Sequence, residues 1–251
     1  MGKPISVSTL PDPPEGAARV SVKRASPKRL PPLQNGDRLS RDEFERRYDA
    51  MPELKKAELI EGVVHLPSPV KQRQHGMPHG QVMGWLFYYS ARTPGIALGC
   101  DSTVRLDEQN EPQPDACVYI LPEHGGNARI SADDYLEGPP ELVAEVAASS
   151  ASYDLHSKLA VYLRNGVREY VVWRVFDREI DWFARKRGRY QPLPAGRSGI
   201  RKSLVFPGLW LDSAAMVRGD QAGILKVLER GLRSPEHRAF VGRLERRGRS
   251  R

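Results

Sequence analysis

The sequence predicts an α/β domain, a mixed β-sheet flanked by helices and extended by extra antiparallel strands. Three observations predict it. Apolar runs of strand length, PDACVYI and ELVAEVA, are bounded by loops rich in Gly, Pro and Asp. Two segments, HGQVMGWLFYYSA and DLHSKLAVYLRNG, carry apolar residues at helical spacing between such runs. The order helix, strands, helix, strand is that of a sheet covered on its faces.

The elements follow in chain order. Residues 1–36 are rich in Pro, Ser and basic residues and read as a disordered basic arm. The folded domain is expected over 37–215, with a helix and a basic tail over 216–251. In LSRDEFERRYDAM, Ser40 and Glu43 have capping-box spacing, and Leu39 and Phe44 are placed as a hydrophobic staple. ELIEGVVHL reads as a strand with Gly62 as a bulge. A Pro-bracketed loop, PSPVKQRQHGMP, follows. His79, Val82, Met83 and Leu86 then stand at i, i+3, i+4 and i+7, one helix face ended by Thr93-Pro94-Gly95. IALGCDSTVRL and PDACVYI read as strands around the polar turn DEQNEPQ. Residues 122–140 read as a long loop with a helical turn at SADDYLEG. After ELVAEVA, Ser149 to Ser152 offer N-caps for a helix from about Asp154 to Arg164, which Asn165-Gly166 stops. REYVVWRV is a strand, DREIDWFARKRGRYQPL two more, and FPGLWLD closes the domain. Residues 214–230 are expected to form a last helix.

Composition excludes several classes. The 251 residues suffice for one large domain or two small ones. No run approaches the roughly 20 apolar residues of a membrane span, and the N-terminus lacks the apolar centre of a secretory signal. Cys100 and Cys117 both fall in strand-like segments, so free buried thiols are expected, in a soluble cytoplasmic protein. The net charge is +8. It is concentrated at the ends: residues 1–36 hold six Lys/Arg against two acids, and residues 226–251 hold nine against three. Basic tails hold a polyanion without reading its sequence, and equally serve as solvated, solubilising tails.

The middle of the chain carries the chemistry. Ionised carboxylates among Val, Ala and Cys are costly unless compensated. Alternation puts Asp115 on one face with Cys117 and Tyr119, and Glu145 on one face with Val143 and Ala147. If the two strands are neighbours, both carboxylates converge on one hard cation such as Mg²⁺, with the Val146 carbonyl as a further oxygen. Asp154, Lys158 and Tyr162 share a helical face. Either Asp154 and Lys158 form a surface pair, or Lys158 points over the sheet at the acids.

ELIEG, PSP, STVRL, QPDACVYI, ELVAEVAASSASYDLHSKLAVYLRNGVREYVVWRV and FPGL together resemble the Uma-type restriction endonucleases, a family of the PD-(D/E)xK nuclease superfamily, over about residues 38–213. The resemblance implies a restriction-endonuclease-like core with Asp115 and Glu145 as metal ligands. Ala147 stands where the simple superfamily pattern has lysine. The family carries its lysine on the next helix, which matches Lys158. AASSAS also replaces the S-P-S usual after the Glu strand, leaving the roles of Ser149 and Ser150 open. His79 lies on an apolar helix face, the setting of a structural histidine, but the family has a histidine at this helix start, which makes His79 a catalytic candidate. His75 is four residues earlier, but Gly76 and Pro78 are expected to break the helix between them, so no zinc pair is expected. Glu58 and Glu61 read as exposed strand acids, with the alternative that one of them reaches the site, and Asp107 as a turn residue.

The expected activity is Mg²⁺- or Mn²⁺-dependent cleavage of DNA, with Asp115, Glu145 and Val146 at the metal, Lys158 and His79 beside it, and a homodimer where both strands are cut. Two rivals stand beside it. One is a catalytically silent nucleic-acid-binding protein on a nuclease fold. The other is a metal-dependent hydrolase of another substrate.

Overall fold

The computed structural model describes residues 30–148 and 150–250. The expected disordered arm lies outside these residues as far as residue 29. Its last residues belong to the fold: Leu33 is buried, and the Gly36 N–H donates to the Val64 carbonyl. The unit described below begins at Pro32.

Helix α1, Arg41–Asp49, begins where the capping box predicts, with Ser40 Oγ accepting from the Glu43 N–H at 3.4 Å. ELIEGVVHL is a hairpin, not one bulged strand. Its strands are β1, Glu58–Ile60, and β2, Val63–His65. Glu61 and Gly62 both take positive φ, 52° and 72°, as a tight two-residue hairpin turn demands. Helix α2, Met77–Ser90, continues directly from a π turn, Gln72–Gly76. Pro78 sits in its first turn, where a missing N–H is harmless. Gly76 and Pro78 therefore leave His75 and His79 on one continuous helical path, contrary to expectation. The buried face of α2 is Val82, Trp85, Leu86 and Tyr89.

Strand β3, Ile96–Cys100, stops at Asp101, whose φ is 48°. The expected strand IALGCDSTVRL is thereby split, and β4, Val104–Arg105, joins a different sheet. Strand β5 is Ala116–Ile120. In place of the helical turn at SADDYLEG stands a small hairpin of β6, Arg129–Ile130, and β7, Leu136–Glu137. Strand β8 is Leu142–Ala147. The next helix runs without a gap through α3, Ala151–Tyr153, a π turn, Asp154–Lys158, and α4, Leu159–Asn165. Gly166, at φ 93°, ends it as predicted. Then come β9, Glu169–Arg174, β10, Glu179–Lys186, β11, Arg189–Pro192, β12, Ile200–Lys202, and β13, Trp210–Asp212. The last helix expected over 214–230 is two, α5, Ser213–Arg218, and α6, Gln221–Leu232, parted by left-handed Gly219. The expected basic tail is helix α7, Pro235–Arg249, with Phe240 and Leu244 buried. Arginines on one side of a helix do not prevent the other side from joining a core.

The main sheet has the order β11-β10-β9-β8-β5-β3, antiparallel throughout except for the parallel pair β8 and β9, which the helix over 151–165 connects. Alternation divides it into two cores. Ala116, Val118, Leu142, Ala144 and Val146 pack with α2 and the C-terminal helices. Cys117, Tyr119, Val143, Ala147 and Tyr170 pack with Tyr162 on the other face. The Trp85 and Trp182 rings meet edge to face at 5.7 Å across the first core. Of the two free cysteines, Cys117 is buried as expected, and Cys100, the last residue of β3, is exposed.

Candidate functional site

Asp115 precedes β5, and Glu145 stands in β8, the antiparallel neighbour of β5. The ladder between them ends at Ala116 opposite Ala144. Past that point the backbone pairing gives way to side chains. Asp115 Oδ2 accepts the Val146 N–H at 2.6 Å, and the Asp115 N–H reaches Glu145 Oε2 at 3.4 Å. Both acids are about 4% exposed. In an extended strand the N–H and C=O of one residue point to the same edge, so the Val146 carbonyl lies on the edge facing Asp115.

Lys158 is buried at the end of its π turn, and its Nζ lies 2.9 Å from Glu145 Oε1. Of the two readings of the Asp154–Lys158 spacing, the lysine aimed over the sheet is the one present. Nζ also lies 2.8 Å from Glu58 Oε1 and 3.8 Å from Asp154 Oδ1. Tyr162, one turn further along, donates its hydroxyl to Glu145 Oε1 at 3.0 Å. Ser150 Oγ donates to Asp154 Oδ2 at 2.6 Å, so its hydroxyl orients the acid and does not cap the helix. Ser149 lies outside the described residues.

The charges are unequal. Glu58, Glu145 and Asp154 converge on Lys158, while Asp115 faces Lys56 and His75 at the rim. Burial disfavours the charge on Lys158, but the surrounding acids outweigh it and hold its pKa well above the usual lysine value. Burial pushes the Glu145 carboxyl up to about 8, with Lys158 opposing and the neighbouring acids assisting. Asp154 is raised, by burial first. Asp115 goes the other way. Burial disfavours its charge, but the His75 contact at 3.2 Å, Lys56 at 3.8 Å and the Val146 N–H hold its pKa below the ordinary value. The same contact with Asp115 raises the pKa of His75.

His79, in the first turn of α2, reaches the backbone of Asp115. Its Nε2 lies 3.0 Å from the Asp115 carbonyl oxygen, 3.8 Å from Cys100 Sγ and 3.9 Å from Asp101 Oδ2. The thiol of Cys100, beside Asp101, is pushed up to about 11, by burial first and by that carboxylate second.

Asp115, Glu145 and Lys158 are thus brought together, with Val146 and His79 beside them. Glu58 is not the exposed strand acid expected. It is buried, accepts the Gln113 N–H at 2.8 Å and pairs with Lys158. A signal was present: ELI is apolar on both sides of its alternation, and all three residues of β1 are buried. Tyr162 had the right spacing from Lys158 without an assigned role. Lys56 and His75 had no readable signal, because each reaches Asp115 from a loop or turn remote in sequence. Asp107 does serve its turn, accepting from the Gln109 N–H at 2.9 Å.

A model of the Uma2 family, described as "putative restriction endonuclease", matches residues 41–214. Among solved structures, a protein of Anabaena variabilis described as a "putative nuclease belonging to DUF820" is similar at 13% identity and a TM-score of 0.49. The match covers 71% of this chain and 99% of that one. No curated protein matches the sequence.

Proposed function

The chain belongs to the Uma2 family, and from that premise we propose that it is a nuclease that hydrolyses phosphodiester bonds in DNA with a divalent cation, Mg²⁺ or Mn²⁺. The observation that carries the reading is the meeting of Asp115 and Glu145 at the end of the β5–β8 ladder, with the Lys158 ammonium 2.9 Å from Glu145.

The donor set supports a hard cation. Its members are carboxylate and carbonyl oxygens, and the local excess of acid over base is what such an ion offsets. Asp115 and Glu145 would hold it, with the Val146 carbonyl as a further ligand. When bound, the ion supplies positive charge to the phosphate and acidifies the attacking water.

The side chains of the chain itself do the rest. Lys158, flanked by Glu145, Glu58 and Asp154, stays protonated and serves as a donor to charge developing on the phosphate, not as a base. Glu58 fixes its position by pairing with it directly, and Tyr162 does so through the Glu145 oxygen that both contact. Lys56 places positive charge, and His75 an imidazole whose protonation Asp115 favours, at the rim, where a polyanion approaches. His79 steadies the Asp115 backbone through its carbonyl.

The test is cleavage of plasmid and single-stranded DNA with Mg²⁺ or Mn²⁺ by wild type, Asp115→Asn and Glu145→Gln. Each substitution keeps the shape and removes a charge. Cleavage is expected to fall by about 10²-fold or more in both. Cleavage that survives both substitutions refutes the assignment. Metal-independent, salt-steep DNA binding without cleavage would instead support the silent binding protein.

A further inference from the structure

Three potential ligands of mixed chemistry stand together at the rim of the acidic centre. Cys100 Sγ lies 3.4 Å from Asp101 Oδ2 and 3.8 Å from His79 Nε2, and the latter two lie 3.9 Å apart. Zinc bonds of about 2.0–2.3 Å to N, O and S put tetrahedral donors roughly 3.3–3.6 Å apart. The observed triangle departs from that by a few tenths of an ångström. Successive side chains of a strand point to opposite faces. Cys100 and Asp101 share one side because Asp101, at φ 48°, turns the chain as β3 ends. Both are exposed, which leaves a fourth position open to water. Lys56 contacts the other oxygen of Asp101, Oδ1, at 3.3 Å and leaves Oδ2 to face the triangle.

We propose that His79, Cys100 and Asp101 form a site for a borderline divalent transition cation, Zn²⁺ foremost, separate from the oxygen-lined centre of Asp115 and Glu145. The ligand types divide the two sites. Thiolate and imidazole select zinc-like ions, whereas carboxylate and carbonyl oxygens select Mg²⁺ or Mn²⁺. On binding, the ion replaces the thiol proton, and the His79 ring proton moves from Nε2 to Nδ1, so that Nε2 exchanges the Asp115 carbonyl for the metal. That carbonyl keeps the Asp101 N–H at 3.4 Å.

Titration of the full chain with Co²⁺ tests this, because a cobalt–thiolate bond gives a near-ultraviolet charge-transfer band independent of any activity. Wild type should bind one equivalent with that band, and Zn²⁺ should displace it. Cys100→Ser should abolish the band, and Asp101→Asn should weaken binding by about tenfold or more. Cys117→Ser and Glu145→Gln should keep it, with circular dichroism confirming that each variant is folded. Absence of the band in wild type, or its survival in Cys100→Ser, overturns the proposal. Loss of the band in Glu145→Gln would put the ion in the acidic centre and overturn the claim of a separate site, whatever the nuclease assay shows.

Discussion

Glu111 shows at the scale of one residue what an unneutralised carboxyl costs. It is 1% exposed, and its carboxyl is pushed up to about 8, by burial first and by Glu45 second, with Arg105 and Arg41 opposing. A carboxyl whose pKa is higher in the folded than in the unfolded chain favours the fold when protonated. Its contribution is complete below the unfolded value of about 4.3 and is lost as pH rises toward about 8. Glu111→Gln keeps the shape without the charge. Thermal unfolding should show the variant more stable than wild type at about pH 9, by on the order of 1–3 kcal/mol, with the gap closed at about pH 4. Equal midpoints at both pH values would show that the arginines keep Glu111 ionised at no cost. Asp115 and Glu145 were legible in the sequence because each interrupts an apolar run. Glu111, in the polar turn DEQNEPQ, gave no such contrast, and its burial comes from α1 closing over it through the Arg105–Glu45 pair at 2.8 Å.

At the scale of the element, both helical paths that feed the site contain a π turn, Gln72–Gly76 with His75 at the start of one and Asp154–Lys158 with Lys158 inside the other. Such insertions recur at functional sites because they re-aim side chains that a regular helix would place elsewhere. Local spacing conveyed the helices but not this local widening, which hangs on the tertiary contacts of each lysine and histidine. Long apolar strands, the capping box at Ser40 and the stop at Gly166 were readable from local chemistry. Two-residue strands such as β6 and β7 carry no periodicity and were not. A tighter contact fixes α6. A Cβ on Gly231 would lie 2.1 Å from the Gly208 carbonyl oxygen, a backbone atom that cannot rotate away. Gly231→Ala should therefore destabilise the protein by roughly 1–3 kcal/mol, read as a lower denaturant midpoint with an unchanged slope. A wild-type midpoint would contradict that close approach.

At the scale of the molecule, the C-terminal basicity proves to be part of the fold. Helix α7 carries Arg238, Arg243, Arg246, Arg247 and Arg249, yet buries Phe240 and Leu244 in the main core. It is held near the Ile120 end of β5, where His124 Nδ1 donates to the Leu244 carbonyl at 2.7 Å. Asp115 precedes the opposite end of that strand. Both α6 and α7 lie beyond the family match, which ends at residue 214. Truncation after Ser234 would be harmless for a solvated tail. The packing predicts otherwise, because loss of one core aromatic alone costs about 3–5 kcal/mol. The truncated chain should lose its cooperative unfolding transition or melt well below the full chain, and a wild-type melting curve would refute the docking of α7. Among the described residues no helix is long and apolar enough to cross a membrane.

By itself the sequence determined the mixed α/β class, the two strands that bear Asp115 and Glu145, the helix that bears Lys158 and the face each residue occupies. These follow from period-two and helical spacing and from the cost of charge in apolar surroundings, all local quantities. Only the tertiary structure decided that β5 and β8 are neighbours, that Glu58 is the lysine's second partner, that Lys56 and His75 support Asp115, and that the basic C-terminus is a docked helix. Each of these joins residues tens of positions apart, and a chain's local pattern carries no record of which distant groups its folding will press together.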